Sequence, residues 1–224
     1  MAVNTAVIGK TFAPATYAVG REKIREYAHA VGETDPLYLD VGAARAAGYD
    51  DVVAPPMFAV VYSLPAVWPA LFDEEVGIDF ARMVHGGQAF EWGPVVVAGD
   101  ELAPLSVTPD KYLTVRYAGA SGDFNPIHID EEFARAVGLP GRILHGLYTM
   151  AQVARAHTEA GGGPESLKRL SVQFRGMGLP EQELVVTGTV TSVSDGVALV
   201  ECGCEQNGKR IIRNAEAELR VGDG

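Results

Sequence analysis

The sequence predicts an α+β protein built from two tandem copies of one module, of which the first lacks several strands. Three observations support this prediction. The chain aligns with itself at an offset of 90 residues, without a gap, from Gly9 to Val60. Both copies carry apolar residues with the period of helices. Only the second copy continues into a series of stretches with the alternation of strands.

The matched positions of the repeat include residue types with specific backbone roles. Identical residues stand in the first copy at Tyr27, Gly32, Pro36, Asp40 and Gly48. Their counterparts in the second copy are Tyr117, Gly122, Pro126, Asp130 and Gly138. Agreement at this density indicates one module present twice. We predict an incomplete half over residues 1–102 and a complete domain over residues 103–224.

Each copy predicts helices in the same order. An amphipathic helix is expected at about 20–31 and 109–120, and a short helix at about 41–47 and 130–137. A longer apolar helix is expected at about 56–71 and 146–160. Pro65 and Pro69 are expected to kink or end the first apolar helix, whereas the glycines from Gly161 onward end the second.

The second copy predicts an antiparallel sheet after its apolar helix. The strands are expected at Leu170–Phe174, Leu184–Val193, Val197–Cys204 and Ile211–Val221, with a hairpin turn at Asn207-Gly208. In the first copy only Gln88–Leu102 resembles a strand, and nothing corresponds to residues 184–222. Its apolar helix would stay partly uncovered, so we expect a second chain, or an adapted sheet of the second copy, to cover it.

The junction between the copies reads Gly99-Asp100-Glu101-Leu102, which serves both as the end of one copy and as the start of the next. The sequence leaves open whether this shortened first copy is natural or the product of a deletion or of engineering.

Bulk composition excludes several function classes. The chain carries 18 basic and 29 acidic residues, a net charge of −11, which disfavours non-specific nucleic-acid binding. A run of apolar residues long enough to insert into a membrane is missing, as is a signal peptide, and we expect a cytoplasmic protein. Cys202 and Cys204 are expected to be buried thiols on a strand.

The candidate chemistry lies on the turn around Pro126. Asp123 and His128 flank this turn, and a carboxylate beside an imidazole is the pair that acid–base addition or elimination of water needs. The alternative is structural, since Asp before a proline turn often forms an Asx turn. The first copy keeps Pro36 but has Glu33 and Tyr38 at the matching positions, so the fold does not need Asp and His there.

The second candidate element is His145-Gly146 at the start of the apolar helix. The first turn of a helix offers unpaired N–H groups, and Gly146 lets a ligand approach them closely. Such donors suit a carbonyl oxygen that acquires negative charge. Close packing of the helix against the sheet is the alternative reason for Gly146. The first copy has Pro56 at this place, which lacks the N–H.

The stretch Tyr117–His128, together with His145-Gly146-Leu147, resembles the signature of MaoC-like (R)-specific enoyl-thioester hydratases and 3-hydroxyacyl-thioester dehydratases. The resemblance implies the hot-dog fold, a long central helix wrapped by an antiparallel sheet, often doubled in one chain with one half catalytic. It implies that residues 103–224 are the catalytic domain. Residues 1–102 resemble the non-catalytic, substrate-accommodating half found in actinobacterial fatty-acid elongation dehydratases.

The same resemblance assigns roles to individual residues. It implies a catalytic dyad of Asp123 and His128, with the Gly146 N–H polarising the thioester carbonyl. It leaves open which member of the dyad is the base. The orienting residues are expected to be Asn125, Pro126 and Ser121. No metal or redox cofactor is implied.

Other polar residues have weaker signals. His145, Arg169 and Arg175 are candidate substrate-binding residues, because basic side chains of the sheet region can meet the phosphates of a carrier. The alternative for the arginines is a solvated face. The remaining histidines and tryptophans are expected to be structural: surface or capping roles for His29, His85 and His157, and core or interface roles for Trp68 and Trp92.

The resemblance thus implies reversible hydration and dehydration of trans-2-enoyl and (R)-3-hydroxyacyl thioesters in fatty-acid or related acyl metabolism. The substrate carrier is coenzyme A or an acyl-carrier protein, and the chain is expected to form a homodimer or hetero-oligomer. Two alternatives stay open. One is a non-catalytic acyl-thioester-binding or scaffold subunit, which the incomplete first copy favours, and the other is a hot-dog thioesterase.

Overall fold

A computed structural model describes residues 3–13, 17–80, 83–91 and 102–220. Most of the junction Gly99–Leu102, and Trp92, lie outside these described residues. The helices are α1 (Arg21–Val31), α2 (Pro36–Leu39), α3 (Val41–Ala46), α4 (Ala59–Leu71), α5 (Leu113–Ser121), α6 (Pro126–Ile129), α7 (Glu131–Ala136) and α8 (Gly146–Ala160). The strands are β1 (Gly87–Glu91), β2 (Leu102–Val107), β3 (Leu167–Phe174), β4 (Leu184–Ser194), β5 (Val197–Gln206) and β6 (Lys209–Arg220). Short 3-10 turns lie at Thr5–Val7, Pro56–Phe58 and Pro164–Ser166.

The order of helices confirms the internal repeat. Helices α1, α2, α3 and α4 of the first copy recur as α5, α6, α7 and α8 of the second. Gly32 and Gly122 end α1 and α5 in the left-handed conformation, with φ of 80° and 84°. A β-carbon is strained at such φ values, which explains why both copies keep glycine there.

Side-chain caps set the turns of both copies. The Asp35 side chain accepts from Leu37 N at the start of α2, and the Asn125 side chain accepts from Ile127 N at the start of α6. Asp40 and Asp130 cap α3 and α7 in the same way. These caps satisfy backbone N–H groups that have no partner inside the helix, so they fix where each short helix begins.

Helix α4 continues through both of its prolines. The prolines were expected to kink or end the helix; an end at Pro65 or Pro69 is ruled out, since α4 runs on to Leu71 as its predicted range of about 56–71 requires. The two prolines lie one turn apart on the same side of the helix, so the lost backbone bonds fall along one face. Burial of Val60 and Val61 on the core holds the helix together.

The six strands of the described residues form one antiparallel sheet in the order β1-β3-β6-β5-β4-β2. Helix α8, the predicted central helix, packs against it and is buried along most of its length. The β5–β6 turn at Asn207-Gly208 has φ of 51° and 71°, as a two-residue hairpin turn requires. The predicted α+β architecture, a long helix wrapped by an antiparallel sheet, is therefore confirmed.

The first copy contributes one strand, β1, to this common sheet. Strand β1 pairs with β3 of the second copy, for example at Phe90 and Leu170. An adapted sheet of the second copy therefore takes up the only strand of the first copy within the described residues. Part of α4 still faces outward, with Tyr62 and Val67 exposed, as is Phe72 directly after the helix. The division of the chain at residue 102 stays a prediction.

Contacts between helices join the two copies. The rings of Tyr27 and Tyr117, which are counterparts in the repeat, lie 6.1 Å apart between α1 and α5. Gln152 Nε2 of α8 donates to Val31 O at the end of α1 at 3.0 Å, both groups being buried. The hydrogen bond satisfies a carbonyl that the helix end leaves without an internal partner.

Cys202 and Cys204 are free thiols buried on β5, as predicted. Burial raises the pKa of each thiol to about 12, so both are protonated at neutral pH. Among the helices of the described ranges, none has the length and apolar character that crossing a membrane requires.

Candidate active site

An apolar cavity of about 900 Å³ lies between the two copies, and the predicted dyad stands in its wall. The second copy contributes Asp123, Asn125, His128, Gly146 and Phe174. The first copy contributes mainly apolar side chains of α4 and of the segment after it: Val60, Leu64, Val67, Trp68, Leu71, Phe80 and Met83. The cavity therefore belongs to neither copy alone.

The Asp123 turn is fixed by local hydrogen bonds. Ser121 Oγ donates to Tyr117 O at 2.7 Å and accepts from Asp123 N at 3.3 Å. The Asp123 carboxylate accepts from Asn125 N at 3.2 Å through Oδ1, which is the Asx turn of the structural alternative. A carboxylate offers two oxygens, so one bond to the backbone leaves acceptor capacity toward the cavity.

His128 is buried, with 7% of its surface exposed, and lines the same cavity. Its Nδ1 lies 2.8 Å from Ile143 O. A carbonyl only accepts, so Nδ1 carries the proton and Nε2 keeps a lone pair. Burial lowers the pKa of His128, although Ile143 O and Asp123 oppose that effect, so the imidazole is neutral at pH 7.

Asn125 connects the turn to both copies. Its Oδ1 caps α6, the helix that carries His128, and its Nδ2 donates to Phe80 O of the first copy at 2.9 Å. Pro126 is the first residue of α6, where its missing N–H costs nothing. Asn125 thus positions the helix of the dyad and a wall of the cavity together.

His145 lies behind the dyad and is not among the residues that line the cavity. Its ring stacks on that of His128, with centroids 3.8 Å apart and planes inclined by 26°. His145 Nε2 donates to Asp123 O at 3.0 Å, while its buried Nδ1 has no hydrogen-bond partner in the described part of the chain. Burial, with His128 adding to it, holds the pKa of His145 well below its usual range. The contacts therefore support a neutral ring that positions Asp123 and His128.

Asp123, His128 and His145 each offer a ligand atom within 4.8 Å of the other two, which is the donor set of a transition-metal site. The arrangement of the rings does not fit a single metal ion. A metal lies in the plane of each imidazole that binds it, about 2 Å from the nitrogen. Rings stacked face to face at 3.8 Å do not place their lone pairs on one such point.

Gly146 is the first residue of α8, and it lines the cavity together with Leu147. No described residue accepts a hydrogen bond from the Gly146 N–H, as expected for the first turn of a helix. A β-carbon at this position would lie 3.3 Å from the ring of Phe174. The structure therefore supports both reasons for a glycine at position 146: it packs closely against Phe174, and its N–H is free to meet a ligand.

Two histidines contradict their predicted surface or capping roles. His157 is fully buried on α8, where Nδ1 donates to Val153 O at 2.6 Å. Its spacing of seven, four and three residues from the apolar Met150, Val153 and Ala154 was the signal for burial. His85 is partly buried and lines the cavity with the dyad. Burial lowers the pKa of His85 and the Asp123 carboxylate opposes that effect. His29 is exposed, as predicted.

The two candidate arginines lie in different places. Arg175 is exposed at the cavity, where it donates to Gln173 Oε1 at 2.9 Å. Arg169 does not line the cavity and forms an ion pair with Glu218 of the neighbouring strand β6, at 3.3 Å. The structure therefore brings Asp123, Asn125, His128, Gly146 and Arg175 together and leaves Arg169 apart from them.

Comparison with known protein families agrees with this arrangement. Residues 95–207 match the family model described as "MaoC like domain". The chain belongs to the MaoC-like family. Residues 6–114 match a second model, described as "FAS1-like, dehydratase domain region". The dyad, Asn125 and Gly146 all lie within the MaoC-like match.

Individual relatives support the same assignment. A curated "UPF0336 protein" of Clavibacter michiganensis is 54% identical over 110 residues, which is 48% of this chain and 74% of that protein. A solved "MaoC-like dehydratase" superposes with a TM-score of 0.84 at 21% identity, covering 92% of this chain and 95% of that one. An (R)-hydratase from A. caviae, described as involved in PHA biosynthesis, superposes with a TM-score of 0.50 at 19% identity, covering 63% and 99%. These structures show the MaoC-like hot-dog fold.

Proposed function

We propose that the chain reversibly hydrates trans-2-enoyl thioesters to (R)-3-hydroxyacyl thioesters. One observation carries the proposal: His128 with an unprotonated Nε2, Asp123, and Gly146 with an N–H that no described residue accepts all line one apolar cavity. The family assignment supports the general class, a hydratase or dehydratase. The substrate and the roles of the residues are the finer part of the proposal.

His128 carries the proton in this mechanism. A water held between Nε2 and the Asp123 carboxylate attacks C3 while His128 Nε2 takes one of its protons. The imidazolium then gives a proton to C2, so that water adds across the double bond and the base is regenerated. Asp123 orients the water and stabilises the imidazolium. Dehydration is the same sequence in reverse. The proposed chemistry uses no metal or redox cofactor.

The start of α8 stabilises the charge that this reaction creates. Attack at C3 moves negative charge onto the thioester oxygen as an enolate. The N–H of Gly146, at the positive end of a 15-residue helix, is a fixed donor for that oxygen. Such a donor acts more strongly in the transition state than in the ground state, which is the condition for catalysis.

The apolar part of the cavity accommodates the acyl chain. Most of its lining from α4 is aliphatic or aromatic, and burial of an acyl chain there gains about 0.8 kcal/mol per methylene group. Coenzyme A or an acyl-carrier protein would carry the thioester, with the exposed Arg175 at the cavity available to its phosphate. The proposed substrates are those of fatty-acid or related acyl metabolism.

Hydration of a short trans-2-enoyl-CoA, followed by the loss of ultraviolet absorbance of the enoyl thioester, tests the proposal. We expect turnover by the native chain and its loss in Asp123→Asn and in His128→Ala. Glu33→Gln, at the position in the first copy that matches Asp123, is the control and should keep the activity. Unchanged activity in both dyad variants would refute the proposal.

The same assay distinguishes the remaining functions. A thioesterase would release free thiol from acyl-CoA without hydration, and a thiol reagent detects it. A binding or scaffold subunit would bind acyl-CoA and turn over neither substrate. Either outcome excludes a hydratase.

Association with a second chain, as a homodimer or hetero-oligomer, is part of the same proposal. The exposed apolar side chains Tyr62 and Val67 of α4 and Phe72 directly after it support it, because exposed apolar surface in excess of what a monomer usually shows marks an interface. Analytical ultracentrifugation of the purified chain at micromolar concentration measures this directly. A monomer under those conditions would argue against the homodimer.

A further inference from the structure

A second cavity lies at the place in the first copy that corresponds to the dyad. It has a volume of about 320 Å³. Its lining comes from the α1–α2 turn, α2 and the end of α8: Glu33, Thr34, Asp35, Pro36, Tyr38, Thr158 and Glu159. Glu33 and Tyr38 are the counterparts of Asp123 and His128 in the repeat. The proposed hydratase mechanism uses none of these residues.

Glu33 is the unusual group in this cavity. Only 6% of its surface is exposed, yet among the described residues none donates a hydrogen bond or forms an ion pair to its carboxylate. A buried carboxylate without a partner is costly, so such groups are usually paired. Burial raises the pKa of Glu33 to about 7, and Arg155 opposes this effect while Glu159 and Asp35 add to it.

The charges around Glu33 are unbalanced. Asp35 and Glu159 line the same cavity. The nearby cation is Arg155, whose Nε is already bound to Glu159 Oε1 at 2.7 Å. Asp35 is engaged as the cap of α2. The buried hydroxyl-bearing side chains of Tyr38 and Thr158 complete the polar lining. The cavity thus presents a buried acceptor and excess negative charge to whatever enters it.

These features point to an organic cation and not to a divalent metal. Ca²⁺ and Mg²⁺ need several oxygen ligands converging at about 2.0–2.6 Å. Within the described ranges, three metal-ligating side chains converge within 4.8 Å only around Asp123. Glu33 does not belong to that group. An ammonium group needs only two or three acceptors, which a carboxylate and neighbouring hydroxyls supply.

We propose that this cavity binds a small alkylammonium compound, with the Glu33 carboxylate as the principal contact of the ammonium group. The volume of about 320 Å³ limits the ligand to roughly ten heavy atoms, since one water takes about 30 Å³ in the liquid. Short diamines fit this description. The site goes beyond the proposed hydratase function, because it lies outside the catalytic cavity and contains none of its residues.

Binding has a distinctive pH dependence. A cation favours the ionised form of Glu33, so binding near pH 7 releases protons. Affinity should rise as the pH rises toward the pKa of Glu33 and become constant above it. Asp35 and Glu159 are the other carboxylates that face Glu33, and Arg155 is the facing cation. Tyr38 stays protonated, because burial raises its pKa.

Isothermal titration calorimetry of the full chain with 1,4-diaminobutane tests the site. Titrations at pH 6, 7 and 8.5, each in two buffers of different ionisation enthalpy, measure both affinity and proton release. We expect tighter binding at pH 8.5 than at pH 6, with protons released at pH 7 and not at pH 8.5. Absence of binding at millimolar diamine and pH 8.5 would overturn the proposal.

Two variants make the test specific. Glu33→Gln should weaken binding about tenfold or more, the effect of losing one charge-assisted hydrogen bond, and should abolish proton release. Glu22→Gln removes the same charge from an exposed position of α1 and should leave affinity nearly unchanged. Circular dichroism checks that both variants fold. Equal weakening in both variants, or binding of Ca²⁺ in place of the diamine, would contradict the assignment.

Discussion

The turn before α2 and the turn before α6 have the same backbone and different chemistry. Both follow a left-handed glycine, both begin a short helix at proline, and both have a side-chain cap. The second copy adds Asp123 and His128 at the wall of a large apolar cavity, whereas the first copy adds Glu33 and Tyr38 at a small polar one. The glycine, the proline and the side-chain cap therefore determine the shape of the turn. The residues that flank it are free to differ, and they determine the chemistry of each cavity.

The largest expected effect separates the two pairs directly. His128→Gln should lower kcat/KM for enoyl-thioester hydration by about 10³-fold, within the usual range for loss of a general base. Tyr38→Phe, at the matching position of the first copy, should change it by less than about twofold. Steady-state kinetics of the two variants measures this. Comparable losses would show that the chemistry is shared between the copies.

The pH dependence of the same reaction follows from the burial of His128. Because its pKa is lowered, the imidazole stays unprotonated below pH 6.5, and kcat/KM should decline only once the pH falls through that lowered value. A pH–rate profile checks this. A decline already centred above pH 6.5 would contradict a buried neutral His128 as the base.

The next effect concerns the helix starts, where the first copy has Pro56 and the second has Gly146. Gly146→Pro makes the second copy like the first and removes the proposed donor, so kcat should fall by about 10²-fold or more. Helix α8 should survive, because proline is accepted at the first position of a helix. Gly146→Ala keeps the N–H and is the control for crowding against Phe174. Equal losses in both would assign the effect to packing.

A stability effect should distinguish Glu33 from ordinary surface carboxylates. Its pKa is raised from 4.5 to about 7, so the folded state holds a proton that the unfolded state has lost. The native chain should therefore lose stability as pH rises from about 4.5 through 7, by roughly 3 kcal/mol at about 1.4 kcal/mol per pKa unit. Glu33→Gln should remove this loss. Urea unfolding at pH 5 and pH 8 measures the free energy of unfolding at each pH. If Glu33→Gln lost as much stability between these pH values as the native chain, the assignment would be refuted.

The smallest effect tests the part that the copies share. Asp35→Ala and Asn125→Ala should each destabilise the chain by about 1 kcal/mol, the usual cost of a lost helix cap. Asn125→Ala should cost somewhat more, because Phe80 O also loses its donor. Only Asn125→Ala should lower hydration activity. Thermal unfolding and kinetics of both variants measure these differences.

Local patterns in the sequence predicted the elements that local chemistry determines. Helix α8 was expected at about 146–160 and spans Gly146–Ala160, because an apolar period with a glycine at each end defines it. The β5–β6 hairpin followed from Asn207-Gly208. Asp123 and His128 could be proposed as a dyad because the repeat showed which residues the turn itself does not need.

Contacts between distant parts of the chain could not be predicted from the local sequence patterns. Which strand of the second copy β1 would join depends on pairing between distant segments, and no local period encodes it. The same holds for His85, which reaches the cavity from a loop of the first copy. Arg169 is likewise paired with Glu218 on the neighbouring strand. The sequence alone could not show this pair, because it depends on the register of β3 and β6.

The pairing of β1 with β3 also sets an order of events during synthesis. The two strands are separated by roughly 80 residues, which a ribosome needs about 4–16 seconds to add. Throughout that interval β1 lacks the strand with which it pairs in the folded chain. The apolar helix α4 likewise lacks α5, the helix of the second copy against which it packs, until that part of the chain is made, and a translational pause in the second copy would lengthen its exposure. The yield of native protein should therefore respond to the speed at which the second half is translated.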